Sequence, residues 1–216
     1  SLKLFFNPVS PPSRAVLILA DLLKLKLDKK LVKLNKLEHL SPEFGKINPM
    51  KTVPVLIDNN VTIKESRSIL TYLVSQYSPD NKLYPIDPSK RSQIDSALFF
   101  EACHIYGPFE PIFVGLMRDN CLDNKYSVIT VKKNLNKLNG LLENQKFVAG
   151  NEFSIADISL LLSLTSIEVI GLFDLPSKKN IMDWKDRVQP FIPNYDEYIV
   201  KGTESLRGLF DFFKKN

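Results

Sequence analysis

Cysteine is scarce in this chain, with only Cys103 and Cys121 among 216 residues. Two thiols make no disulfide framework, so a reducing compartment is expected, with both thiols free and buried. No apolar run approaches the ~20 residues that span a bilayer, so no membrane association is expected. A signal-like charged and apolar start is also missing, which makes a cytoplasmic location the expectation. Neither an internal repeat nor a low-complexity tract interrupts the sequence. No metal is expected.

Aromatic residues are missing from the most basic stretch, Lys24 to Lys36, where lysines alternate with leucines. Without aromatics for base stacking, a nucleic-acid surface is excluded in favour of a solvated lysine face on a half-buried element. Residues 1–80 carry 12 Lys+Arg against 7 Asp+Glu, whereas residues 81–216 carry 17 of each. The net charge of +5 therefore belongs to the first part, where it weakly favours an anionic ligand. A hydrophobic content of 44% with 25% charged residues is ordinary for a globular protein.

What is there begins with a short apolar strand, Leu2 to Phe6. A loop, Asn7 to Pro12, follows. Ala15, Val16, Leu19, Leu22 and Leu23 then recur at helical spacing, with Ser13 as the expected N-cap. Ser10 lies just upstream, where the helix dipole favours negative charge. A hydroxyl there can donate to a thiolate and favour the ionised form. Asp28 to Asn35 is expected to form a second strand, and Glu38 to Phe44 a polar loop containing His39.

Val53, Val55 and Leu56 read as a buried strand closed by the turn Asp58-Asn59-Asn60. Pro54 removes a ladder donor, so it sits at the strand's first position or in a tight turn, and its peptide bond can be cis. A cis turn would leave the Val53 backbone free to pair with an extended peptide. Val61 to Ile63 is a further strand. Glu65-Ser66-Arg67 opens an amphipathic helix, with Ser66 suited to the start and Glu65 to the dipole. Amide groups and a hydroxyl there make an anion site, and the preceding carboxylate suits an ammonium group.

Three prolines between Ser78 and Pro88 forbid a regular element and mark a linker at residues 80–88. Residues 1–79 mix strands and helices, and residues 89–216 contain no convincing strand. A long helix from Ser89 is expected to kink or break at Pro108 and Pro111. Tyr106, Phe109, Phe113 and Met117 are either core or one side of a groove. Lys125 to Lys146 forms another amphipathic helix. Ser154 and Asp157 form a capping box, with Phe153 and Ile158 as its hydrophobic staple, before a helix apolar almost all round. Asp157 is therefore structural. Trp184 and Arg187 read as packing.

These features in order resemble the cytosolic glutathione transferases. Ser10-Pro11-Pro12-Ser13-Arg14, Glu38-His39-Leu40, Ile47-Asn48-Pro49, Val53-Pro54, Glu65-Ser66-Arg67 and Ser154-Ile155-Ala156-Asp157 carry the resemblance across nearly the whole chain. The Ser-Pro-Pro, Glu-His-Leu and Ile-Asn-Pro runs are most similar to the insect delta and epsilon classes. The resemblance implies an α/β thioredoxin-like N-terminal domain that binds glutathione and an all-α C-terminal domain that forms the hydrophobic substrate site. Ser10 is then the catalytic residue of a serine-type transferase, since Phe5 and Phe6 stand where a tyrosine would serve. Glutathione would be held by His39, Lys51, Val53, Pro54, Glu65, Ser66 and Arg67. Lys51 stands where many delta-class members have histidine. Tyr106, Phe109, Phe113 and Met117 would face Leu206, Phe210 and Phe213 across the electrophile site. A homodimer is implied, with Arg67, Tyr72 and Glu101 near its interface.

The function this implies is conjugation of glutathione to small hydrophobic electrophiles in xenobiotic detoxification, with an accessory glutathione peroxidase activity. The alternative is a related protein that sequesters hydrophobic ligands with weak turnover. A thioredoxin-like redox enzyme would need a reactive cysteine after the first strand, where Ser10 and Ser13 stand instead.

Overall fold

Leu2 and Leu4 point to one side of the first strand and Phe5 to the other, and the architecture of the first half follows from that alternation. The computed structural model describes residues 2–119 and 124–215. Four strands, β1 (Leu2–Phe6), β2 (Asp28–Leu31), β3 (Val55–Asp58) and β4 (Val61–Lys64), form one sheet in the order β2-β1-β3-β4. β1 runs parallel to β2 and antiparallel to β3, and β3 is antiparallel to β4. Helix α1 (Pro11–Leu22) makes the crossover that a parallel β1–β2 pair requires.

One face of the sheet sends Leu2, Leu4 and Leu56 into the main core against α1 and α3 (Ser66–Tyr77). The other sends Phe5 and Val55 into a smaller cluster with Val32 and Phe44, the latter on α2 (Pro42–Ile47). The Phe5 and Phe44 rings meet edge to face at 6.2 Å. Residues 15–20 of α1 are buried on all sides because the helix lies between this sheet and the helical half.

The expected strand at 28–35 ends at Leu31, and Val32 adds one more backbone bond, from its N–H to the Phe6 carbonyl. The expected loop at 38–44 is instead a single 3₁₀ turn over Glu38–Leu40 followed by α2. Ser41 caps α2 by accepting the Phe44 N–H, with Pro42 in the first turn, so local capping chemistry outweighed the polar composition. As expected, the side chains of Lys24, Lys26, Lys29, Lys30, Lys33 and Lys36 are exposed.

Residues 78–87 contain no helix or strand. Beyond them lie α4 (Pro88–Phe100), α5 (Gly107–Asp119), α6 (Lys125–Leu141), α7 (Ile155–Ile170), α8 (Lys179–Val188) and α9 (Gly202–Lys215). The first half is thus a thioredoxin-like mixed sheet with helices, and the second is all-helical among the described residues. Sixteen-residue α7 is buried along nearly its whole length and forms the centre of the second half.

The break expected at Pro108 and Pro111 takes a particular form. A π-helical stretch, Glu101–Tyr106, joins α4 to α5. The widened turn sends the Gly107 N–H to the Ala102 carbonyl, and a Cβ at Gly107 would stand 2.8 Å from that oxygen. In an α-helix the His104 carbonyl would accept from residue 108, which is proline and has no N–H. Asn134 on α6 replaces that donor at 2.8 Å.

Asp157 has the structural role read from its capping box. One oxygen accepts from Ser154 N–H (2.9 Å) and Ser154 Oγ (3.2 Å), the other from Val148 N–H (2.9 Å) and Trp184 Nε1 (2.8 Å). Burial pushes its carboxyl up, against the pull of these donors. Cys103, expected to be buried, is exposed on the π-helical stretch, while Cys121 lies outside the described residues.

Candidate active site

Strand register brings the candidate residues to one end of the sheet. Phe5 is opposite Val55, Val55 is opposite Lys64, and Phe6 is opposite Leu31. The Ser10 loop therefore leaves the end of β1 beside Val53, which enters β3, and beside Glu65-Ser66, which leaves β4. The chain after β2 leaves from this end too, on its way to His39.

Ser10, rather than Ser13, is the N-cap of α1. Its Oγ accepts the Ser13 N–H at 3.3 Å, and Pro11 and Pro12 fill the first turn, where no N–H is needed. Ser13 is fully buried, behind the loop rather than at its surface. Asn7 holds the loop in shape: its Nδ2 donates to the Val32 carbonyl at 2.7 Å and its Oδ1 accepts the Val9 N–H at 2.9 Å. The sequence reading assigned Asn7 no role, although an Asn-Pro pair after a strand is a turn signal.

The Val53–Pro54 peptide bond is cis, directly before β3. Asn48, fully buried, shapes the approach by donating from Nδ2 to the Thr52 carbonyl at 2.9 Å and to Thr52 Oγ1 at 3.1 Å. Lys51 has a positive φ of 57° and its Nζ donates to the Leu40 carbonyl at 3.1 Å. That bond sets Lys51 beside His39. The His39 ring has a buried Nδ1 without a partner, and burial lowers its pKa, which favours the neutral imidazole.

Glu65 precedes α3 with φ 65° and ψ 118°, a conformation rare for a non-glycine residue. Such outliers concentrate where a side chain is held for a ligand. The first intrahelical bond of α3 runs from the Ile69 N–H to the Glu65 carbonyl. The N–H groups of Ser66, Arg67 and Ser68 thus remain at the helix start, where they and the dipole favour an anion.

The Arg67 guanidinium turns away from that start and grips Glu101, with Nε and Nη2 each 2.7 Å from a carboxylate oxygen. Glu101 is fully buried on the π-helical stretch and also accepts from Ser159 Oγ (2.9 Å) and Ser163 Oγ on α7. Arg67 further lies over the Tyr106 ring, 5.1 Å from its centroid. Burial raises the Tyr106 phenol to about 12. Within the chain, the Glu101 carboxylate joins α3 to α7. Tyr72 donates to Asp58 Oδ2 at 2.8 Å.

The aromatic set divides. Phe109, Leu206 and Phe210 are buried at 1%, 3% and 2% exposure, as core residues are. Half-buried Phe113 joins them, 6.0 Å from Phe109 and stacked on Phe210 at 6.2 Å. α5 and α9 therefore meet through aromatic contact. The side chains of Met117 and Phe213 lie outside the described residues. Two cavities among the described residues lie elsewhere. One of about 310 Å³ opens between α3 and Arg91, and one of about 690 Å³ between α4 and the end of α6.

Two family models match the chain, "Glutathione S-transferase, N-terminal domain" over residues 4–81 and "Glutathione S-transferase, C-terminal domain" over 123–189. The chain belongs to the glutathione transferase family. It is 35% identical over 213 residues to glutathione S-transferase D7 of Drosophila melanogaster, covering 97% of this chain and 95% of that protein. A delta-class glutathione transferase of Nilaparvata lugens superposes with a TM-score of 0.90 at 34% identity, over 99% of this chain and 100% of the other. An epsilon-class transferase of the housefly, Musca domestica, superposes with a TM-score of 0.89 at 32% identity, over 99% and 98%. This transferase thus resembles both insect classes, and the homology carries glutathione-dependent thiol transfer with glutathione as cosubstrate. No cluster of metal-ligating side chains occurs among the described residues, and no described helix is long and apolar enough to cross a membrane.

Proposed function

We propose that this transferase ionises the thiol of glutathione with the Ser10 hydroxyl and conjugates the thiolate to small hydrophobic electrophiles, in detoxification of foreign compounds. The observation that carries this is the position of Ser10. Its Oγ caps α1 by accepting the Ser13 N–H, so its own proton remains to be donated. A thiolate placed there accepts that proton's hydrogen bond and lies at the positive end of α1. The thiol proton goes to solvent, and the thiolate lone pair forms the new carbon–sulfur bond as the electrophile's carbon–leaving-group bond breaks and the leaving group departs with that electron pair. Peroxidase chemistry would use the same thiolate.

In this reading residues 1–79 bind glutathione and residues 89–216 supply the electrophile groove, joined by the linker at 80–88. The backbone of Val53, beside Pro54, pairs with the cysteinyl part. Glu65 receives the γ-glutamyl ammonium. The Ser66 hydroxyl and the amides of Ser66 and Arg67 receive the γ-glutamyl carboxylate. His39 and Lys51 border the glycine carboxylate, with Lys51 acting as a flexible point charge. Tyr106, Phe113 and Met117 border the electrophile, backed by Phe109, Leu206 and Phe210. The protein acts in the cytoplasm as a homodimer.

The test is the ultraviolet thiolate absorbance of bound glutathione against pH, for wild type and Ser10→Ala. Expected is an apparent thiol pKa well below the ~8.5 of free cysteine in wild type, returned upward in the variant. Bound glutathione with no thiolate signal in either protein would overturn the proposal and favour ligand sequestration.

A further inference from the structure

Arg14 is the most unusual charged residue in the molecule. It is 1% exposed on α1, one turn beyond Ser10, and among the described residues it has no carboxylate partner. Its Nη1 donates to the Tyr198 carbonyl at 2.5 Å, while Nε and Nη2 are buried without partners among the described residues. Burial alone lowers its pKa, to about 10. A guanidinium kept in this state is costly to retain, so its location bears on its use.

That location is the root of α9. Tyr198 lies in a second π-helical stretch, Asp196–Lys201, which runs directly into Gly202. The Arg14 side chain crosses the Gly202 backbone so closely that a Cβ there would be 2.4 Å from Nη1, 2.7 Å from Cδ and 2.8 Å from Cζ. Thr203, the next residue, has a buried Oγ1 without a partner. A second tie lies alongside: Asp21, also on α1, accepts from the Tyr198 hydroxyl at 2.6 Å and from Asn194 Nδ2 at 3.2 Å. The helix that carries Ser10 therefore holds the root of α9 at two points.

Gly202, Leu206 and Phe210 follow one another at intervals of four and share one face of α9. Phe210 lies about 12 Å along the axis from Gly202 and stacks on Phe113. A displacement at the root is carried by a rigid helix to the aromatic contact.

We propose that Arg14 is a specificity-determining positioning residue: by seating Gly202 it sets where Leu206 and Phe210 stand, and hence which electrophile shapes the groove accepts. This rests on the reading of the α5–α9 contact as the electrophile wall. Glycine at 202 is then required because the guanidinium occupies the space of its Cβ.

The experiment measures the affinities of S-methylglutathione and S-hexylglutathione by calorimetry for wild type, Gly202→Ala and Arg14→Met. The methyl compound reports the glutathione site, and the hexyl chain reports the groove. Expected in both variants is at least a fivefold change in the hexyl-to-methyl affinity ratio, with methyl affinity within twofold of wild type. Gly202→Ala keeps the guanidinium and so tests the seating if Arg14→Met does not fold. An unchanged ratio in folded Gly202→Ala overturns the inference while leaving the glutathione site standing. Wild type that binds neither compound overturns the glutathione reading and this one with it.

Discussion

The Asn134 amide stands 2.8 Å from the His104 carbonyl, the group that Pro108 leaves without its helical donor. Asn134 is 4% exposed, whereas His104 is exposed and the bond between them is half-buried. Replacing Asn134 by leucine removes that bond and costs about 1 kcal/mol. Urea unfolding should show a lower midpoint with an unchanged slope. A midpoint equal to wild type would mean that the widened turn satisfies His104 unaided.

Asp157 is bound by four donors, among them the Trp184 indole and the Val148 amide. A cap alone is worth ~1 kcal/mol. Here, Asp157→Ala also strands several buried donors, and the expected loss is about 3 kcal/mol or more. For a chain of this size that is a fall of roughly 6–12 °C in Tm. The thiol pKa of bound glutathione should not move in the fraction that folds. A drop in turnover without a drop in Tm would contradict the structural role.

Asp58 accepts from Tyr72 at 2.8 Å and from Tyr77 at 2.5 Å, and the Tyr77 bond, then the Tyr72 bond, hold its carboxyl below the usual range. A depressed carboxyl contributes stability above its unfolded pKa of about 3.9, and loses it as pH falls through the lower folded value. The Tyr77 phenol is raised to about 12 by the same bond, so its share persists below pH ~10 and disappears as pH rises through about 12. Tyr72→Phe/Tyr77→Phe should therefore flatten the loss of stability below pH ~4. Acid unfolding followed by circular dichroism reads this, and identical acid profiles would rule it out.

Among the described residues Lys51 reaches only a backbone carbonyl, on an exposed surface. If it also meets the glycine carboxylate, Lys51→Ala should weaken glutathione binding by up to about fivefold, the scale of an exposed ion pair. The difference should shrink at high salt. Calorimetry at low and high salt decides this, and equal affinities at low salt would remove Lys51 from the site.

Where the determinants were local, the sequence could be read. The capping box of Ser154 and Asp157, the proline before β3 and the Glu65-Ser66 helix start each depend on residues within a few positions of one another. The cap was expected at Ser13, and Ser10, three residues upstream, proved to be the cap itself, because Pro11 and Pro12 suit the first turn. The grip of Arg67 on Glu101 was not readable. The two are 34 residues apart, and Ser159 and Ser163 a further 58 and 62 from Glu101, so only packing brings them together. Asn7 and Asn48 each precede a proline in a loop, and that pairing was the available sign of their role. Arg14 belongs to a run that carried the resemblance, but its contact was not readable, since only the fold reveals that its neighbour is the Gly202 backbone.

Strand β2 is four residues long, exposed throughout, and carries Lys29 and Lys30 at the outer margin of the sheet. An open margin of this kind is a template on which another chain can add a strand. Lys29 and the Lys30–Asp28 ion pair, 2.9 Å long, keep this edge charged and hydrated, and the strand's shortness leaves few bonds to gain. A short, charged edge thus guards against runaway sheet growth when the protein is crowded.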